Sequence, residues 1–232
     1  MKVSRFIIAS FFIYQSSIYS QTFPIHKTNE KITIDGDLTD WKIPFLGPFA
    51  VHNTSEKATQ NTIVSLAWNN ENLYIAYKCT DSKIVGTPQT KDSEIFYTDD
   101  LAEIFFDPDG DGKNYIEIGV NAFSTHYDLL LKCISEECGG WNTSINFNVT
   151  NLESVSKITN DGYTVEIKIP FSSLEKVENG GFSKPKIGSK WKGNAFRIDY
   201  GNTTEYLALQ PYKSLQFGFH QPQEFAVFEF VK

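Results

Sequence analysis

The sequence predicts an all-β fold: a two-sheet antiparallel β-sandwich, jelly-roll or immunoglobulin-like, with one short helical turn. Apolar residues recur with a period of two in segment after segment beyond residue 30. No stretch of useful length carries the apolar stripe of a packed helix, and turn residues punctuate the segments at short, even intervals. A chain of this length fits one such sandwich with a single sizeable core.

Lys31 to Ile34 reads as a short strand ended by Asp35-Gly36-Asp37. Thr62 to Trp68 and Leu73 to Thr80 form a hairpin across Asn69-Asn70-Glu71-Asn72, with Leu73, Ile75 and Tyr77 alternating against Tyr74, Ala76 and Lys78. A second hairpin enters along Leu101 to Phe106, turns through Asp107-Pro108-Asp109-Gly110-Asp111-Gly112 and leaves along Tyr115 to Asn121. His126 to Lys132, Ser144 to Thr150 and Leu152 to Thr159 give three more strands. Gly162 to Ile169 alternates most clearly: Tyr163, Val165, Ile167 and Ile169 share one face, Thr164, Glu166 and Lys168 the other. One face is expected in the core and one in water. Pro170 to Leu174 makes the helical turn, a Gly- and Lys-rich loop runs from Glu178 to Lys190, and Trp191 to Tyr200 and Phe225 to Val231 supply the last strands.

The first twenty residues stand apart. Lys2 and Arg5 precede an apolar run from Phe6 to Tyr14 and the polar Gln15-Ser16-Ser17, which is the pattern of a secretory signal cleaved after Ser20. The run is too short to span a bilayer and no second one follows, so no retained membrane helix is expected. The location implied is secreted, periplasmic or at the cell surface. Cleavage removes two of the 21 basic residues and none of the 28 acidic ones, taking the formal charge from −7 to −9. That balance disfavours nucleic acid and anionic membranes as partners, and fits a neutral ligand or a cation. Three cysteines in an exported chain allow at most one bridge; Cys133 with Cys138, across Ile-Ser-Glu-Glu, is the first choice, and three small buried hydrophobes is the alternative.

Four stretches carry a resemblance. They are Ile32 to Trp41, Asp99 to Asp109 leading on to Tyr115 and Asn121, Gly162 to Phe171, and Trp191 to Arg197 with the closing Phe219 to Phe225. In their order and spacing, across nearly all of residues 21–232, the chain resembles the family 9 carbohydrate-binding modules and the related DOMON-like sandwiches. The resemblance implies a binding module without catalysis that captures a neutral glycan end or small oligosaccharide, in partnership with a glycoside hydrolase. Members clamp a terminal sugar between two aromatic side chains, because pyranose C–H groups pack on an aromatic plane while the hydroxyls need directed partners. The family spacing places the first aromatic at Tyr97, with Phe96 beside it, and makes Glu103, Asn121 and Arg197 hydroxyl partners. Arg197 has a structural alternative, pairing with Asp99 or Asp199. Relatives often place a tryptophan before the proline that precedes the closing segment; here the region reads Tyr206 to Tyr212, so Tyr206, Tyr212 or Trp141 is expected to take its place. If none does, the chain is an accessory or interaction sandwich that has lost the clamp.

Other chemistries fit less well. Asp107, Asp109 and Asp111 with Gly112 supply the opening positions of a calcium loop, but the twelfth position is Ile118 where a bidentate Glu belongs, so the choice lies between an acidic turn and a structural calcium site. Asp35, Asp37 and Asp40 form a second acidic cluster. No cofactor is required. A DOMON-type haem carrier would have to use two of His26, His52, His126 and His220, since the one methionine is Met1. Adjacent Asp99 and Asp100 point to opposite faces of a strand and make a poor glycosidase pair, and no G-x-S-x-G, H-E-x-x-H or Walker motif is present.

Overall fold

A computed structural model describes residues 21–134, 141–144, 146–177, 182–213 and 218–232. The expected signal segment and Cys138 lie outside the described residues; Cys133 is disulfide-bonded and Cys79 is a buried free thiol. The strands are β1 (Thr22–Lys27), β2 (Ala50–Val51), β3 (Thr62–Trp68), β4 (Asn72–Thr80), β5 (Leu101–Asp107), β6 (Asn114–Asn121) and β7 (His126–Cys133), followed by β8 (Trp141–Ser144), β9 (Glu153–Thr159), β10 (Gly162–Pro170), β11 (Lys190–Asp199), β12 (Glu205–Ala208) and β13 (Ala226–Val231). A six-residue helical turn, Phe171–Lys176, follows β10 as expected.

The hydrogen-bonded order is β8-β7-β6-β5-β11-β13-β1-β3-β4-β10-β9, with β12 beside β11 and β2 beside β12. This path curls on itself. Ile104, Ile116 and Ile118 from one layer meet Leu66, Ile75, Val165 and Ile167 from the other in one buried core, which is the sandwich. Its pairing is antiparallel except at β1, which runs parallel to both β13 and β3.

Three expectations change. Lys31 to Ile34 is not a strand: its segment lies across the outer face of the β3–β4–β10 layer, where Ile32 and Trp41 pack on Ala67, Tyr74 and Ala76. The face of β10 expected in water is consequently covered, and Thr164 and Glu166 are buried. Trp41 Nε1 donates to Glu166 Oε1 at 2.6 Å, while the N–H groups of Asp35 and Gly36 donate to Oε2 at 3.0 and 2.6 Å. A buried carboxyl persists only with such partners. Finally, the strand expected over residues 144–150 is replaced by β8 just before it. Phe147 and Val149 still bury their side chains in the core, but the Val149 N–H bonds the Asp128 carboxylate at 2.5 Å rather than a neighbouring strand.

Candidate functional site

In β5, β6, β7 and β11 both faces are occupied. Even-numbered residues of β5 and β6 enter the main core, while Leu101, Phe105, Tyr115, Tyr127, Leu131, Phe196 and Ile198 project from the opposite face into a second apolar cluster. Two covers lie over that face: the helical turn Ile95–Tyr97 and the segment from Gly218 to Phe225. Between them opens a cleft of about 700 Å³, within the usual size of small-molecule sites.

The first wall is positioned by the Asp-Asp pair. Asp99 accepts the Asn121 amide at 2.7 Å, the Thr98 hydroxyl at 2.6 Å and the Thr87 N–H at 3.2 Å. Asp100 accepts the N–H groups of Val85 and Tyr200 at 2.5 and 2.6 Å. These bonds fix the loop that presents Phe96 and Tyr97, and Tyr200 donates its hydroxyl to the Phe96 carbonyl at 2.8 Å. Phe96 packs against Tyr97 and Tyr127 at 4.4 and 5.3 Å between ring centroids. In the other wall Phe219 stacks on Phe196 at 4.1 Å, and Tyr206 meets Phe219 edge-on at 6.1 Å. Tyr97 and Tyr206 remain 69% and 46% exposed at the mouth, so their rings are open to a ligand.

The floor is a polar row inside an apolar surround. Glu103, Gly119 and Tyr127 pair directly across β5, β6 and β7. Gly119 lets the Tyr127 ring lie across the row: a Cβ there would fall 2.4 Å from Tyr127 Cε1. The Tyr127 hydroxyl thereby reaches Glu103 Oε1 at 2.5 Å and Glu117 Oε1 at 2.7 Å. The remaining oxygens, Glu103 Oε2 and Glu117 Oε2, are buried and accept no hydrogen bond. Burial, with Glu117 nearby, pushes the Glu103 carboxyl well above its ordinary range, and burial pushes Glu117 up to about 7. His220 Nε2 lies 3.9 Å from Glu117 Oε2, and the Nδ1 of the same ring is 2.7 Å from the Tyr115 hydroxyl. Desolvation lowers His220 to about 4, so it is neutral at neutral pH.

Of the residues expected to bind, Phe96, Tyr97, Glu103 and Tyr206 line this cleft together. Three do not reach it. Tyr212 is buried behind the second wall, its hydroxyl donating to the Phe219 carbonyl. Asn121 is buried beneath the first, where its amide holds Asp99 and the Thr87 carbonyl. Arg197 points into the interior between the layers: it bonds Asp81 at 2.7 Å, Thr80 O at 2.8 Å and Thr62 Oγ1 at 3.1 Å, pairs with Asp199 at 3.1 Å, and lies over the Tyr163 ring. Of the two pairings foreseen for it, Asp199 is found and Asp99 is not. Trp141 opens β8 opposite Cys133; its side chain falls outside the described residues. Sequence reasoning missed Glu117, Gly119, Tyr127 and His220. Glu117 was within reach, since the hairpin register sets Glu103 opposite Gly119 and makes Glu117 its same-face diagonal neighbour.

Among the described residues two acidic groups are compact enough to hold a cation: Asp107, Asp109 and Asp111, and Asp81, Asp100 and Asp199. In the second, the Arg197 guanidinium already supplies the positive charge. In the first, Asp107 is buried and accepts the N–H groups of Gly110 and Gly112, both at 2.8 Å, while Asp109 and Asp111 turn outward and accept the N–H groups of Asp111 and Lys113. The donors are the hard oxygens a calcium ion takes. Asp35, Asp37 and Asp40 serve as turn acceptors, for the N–H groups of Asp37, Thr39 and Thr33.

The sequence profile described as "Carbohydrate family 9 binding domain-like" matches residues 46–190, more than half of the chain. A stretch of 109 residues, 47% of the chain, is 28% identical to the exoglucanase XynX of Acetivibrio thermocellus and likewise to endo-1,4-beta-xylanase A of Thermoanaerobacterium saccharolyticum, covering 9% and 8% of those longer proteins. Among solved structures, a candidate carbohydrate-binding protein from Bacteroides uniformis superposes with a TM-score of 0.72 at 16% identity, over 91% of this chain and 99% of that one. A family 9 module from Caldicellulosiruptor kristjanssonii superposes with TM-scores of 0.63 in its glucose complex, over 90% of this chain and 95% of that one, and 0.62 with cellotriose, over 91% and 94%. At 16% and 15% identity this last likeness is one of fold.

Proposed function

The chain belongs to the carbohydrate family 9 binding domain-like family, and from that premise we propose that the cleft over β5, β6, β7 and β11 captures the end of a glycan or a small oligosaccharide. The family is one of binding modules without catalysis, and the chain is such a module. The observation that carries the reading is the pairing of two exposed tyrosines, Tyr97 and Tyr206, at the mouth of one cleft whose floor holds two carboxyls with unused acceptor oxygens. Aromatic faces take the apolar side of a pyranose ring, and the carboxyl oxygens take its hydroxyls. The fold neighbour from C. kristjanssonii was solved with glucose and with cellotriose, which makes short β-glucans a natural first panel. Calorimetric titration of the module against such a panel tests the proposal: saturable heat from at least one sugar supports it, and none at millimolar protein rejects it.

Three related proposals accompany it. Partnership with a glycoside hydrolase draws on the exoglucanase and xylanase relatives, and is tested by whether the module, fused to such an enzyme, speeds attack on insoluble polysaccharide. Export draws on residues 1–20 and on β1 starting at Thr22, so that removal of the signal leaves the sandwich whole; the mass of the mature protein tests it. Calcium in the Asp107–Asp109–Asp111 turn draws on the donor set, and is tested by the melting temperature with calcium against chelator.

A further inference from the structure

We infer that the cleft selects a glycan end bearing a free ammonium group, an unacetylated amino sugar, whose nitrogen sits between Glu103 and Glu117; the inference rests on the carbohydrate reading of this cleft. The first ground is charge. Among the described lining residues are three carboxyl groups, those of Glu103, Glu117 and Glu205, and neither lysine nor arginine. A uronate or sulfated sugar would bring a negative charge to a surface with no cation to receive it, whereas an ammonium meets the two floor carboxyls and the faces of nearby aromatic rings.

The second ground is the hydrogen-bond inventory. Tyr127 carries one hydroxyl hydrogen but lies within bonding distance of two carboxyl oxygens, Glu103 Oε1 and Glu117 Oε1. It donates to one of them, so the close contact with the other requires a hydrogen on that carboxyl. The floor therefore stores one proton between the two glutamates. Glu103 Oε2 and Glu117 Oε2 meanwhile lie buried without donors. An ammonium supplies donors for both oxygens together with one positive charge, and the stored proton leaves to solvent: cationic sugar enters, one proton departs, and the charge of the site with its ligand is unchanged. A neutral hydroxyl brings a donor but no charge, so the proton stays.

The ionisable groups around the pair are Tyr127 on β7, Tyr115 and His220 on one side, His52 against Phe219 in the second wall, and Tyr97, Tyr200, Tyr206 and Glu205 toward the mouth. From across the core, Tyr77 of β4 donates its hydroxyl to the Glu103 carbonyl at 2.5 Å. None of these supplies a cation at neutral pH, since burial lowers both His220 and His52 and holds the buried phenols protonated.

The test is calorimetry with D-glucosamine, D-glucose, N-acetyl-D-glucosamine and D-glucuronate near pH 6.5, in two buffers of different ionisation enthalpy. Glucosamine is expected to bind at least about ten-fold more tightly than glucose, N-acetylglucosamine no better than glucose, and glucuronate worst. The heat of glucosamine binding should shift with buffer as a released proton requires, and that of glucose should not. Glu117→Gln should bring glucosamine and glucose close together in affinity. Glucosamine within about two-fold of glucose, heat that does not depend on buffer, or a preference that survives Glu117→Gln overturns the inference while leaving the carbohydrate reading intact. No heat from any sugar overturns both. Should Glu117→Gln fail to fold, the wild-type comparison decides alone.

Discussion

Replacing Glu117 by glutamine should change how the stability of the protein depends on pH. In the folded protein burial lifts this carboxyl from about 4.5 to about 7, so across that window the native state holds a proton that the unfolded chain has lost. Stability falls with rising pH wherever the native state binds more protons, which here means a progressive loss from about pH 4.5 that levels off above about pH 7. A shift of about 2.5 units is worth roughly 3 kcal/mol in full, and roughly 2.5 kcal/mol of it is lost between pH 5 and pH 8. Glutamine has the same shape and no charge, so Glu117→Gln lacks this loss and also relieves Glu103 of its neighbour. Urea denaturation of both proteins at the two pH values reads the loss of Glu117 together with the easing of Glu103, which acts in the same direction, because the other buried carboxyls raised to about 7, Asp100 and Asp107, contribute equally to each. Wild type should lose at least about 2 kcal/mol more than the variant on going from pH 5 to pH 8. Equal losses would refute the claim that Glu117 is held protonated by its burial.

Two further perturbations probe the scaffold. Gly119→Ala places a Cβ against the Tyr127 ring, so it should cost about 1–3 kcal/mol in urea and weaken sugar binding as Tyr127 leaves Glu103; a neutral alanine would show that the crossing is not needed. Arg197→Met leaves Asp81 and Asp199 buried without their cation and should destabilise by about 3–5 kcal/mol, against under about 1 kcal/mol if the pairing is incidental.

How much of this was legible in the sequence depends on what covers each strand. The hairpin Thr62–Trp68 with Leu73–Thr80 and the strand Gly162 to Ile169 were readable because turn residues and alternation agree there. Alternation reports that two faces differ, not that one meets water, and Glu166 was misjudged because its cover is a distant segment bringing an indole and two amides. In β11 both faces are buried, and Ala195-Phe196-Arg197-Ile198 offers no parity that would tell the cleft side from the core side. Arg197 therefore stood between a place in the cleft and a structural pairing, and the pairing with Asp199 is the one found. The first wall of the cleft was placed by the family spacing from Glu103; the second depends on β12, four residues long and visible only once its pairing with β11 is known, which is why Tyr206, Tyr212 and Trp141 stood as equals.

In the function proposed above, Tyr97 and Tyr206 form one clamp over the Glu103–Glu117 floor. The direct measurement is calorimetric affinity for a sugar that the wild type binds, repeated with Tyr97→Ala and Tyr206→Ala, whose exposed rings can be removed without opening the core. Each substitution should lower affinity about ten-fold or more with unchanged thermal stability. Wild-type affinity in both variants would show that the two tyrosines form no clamp.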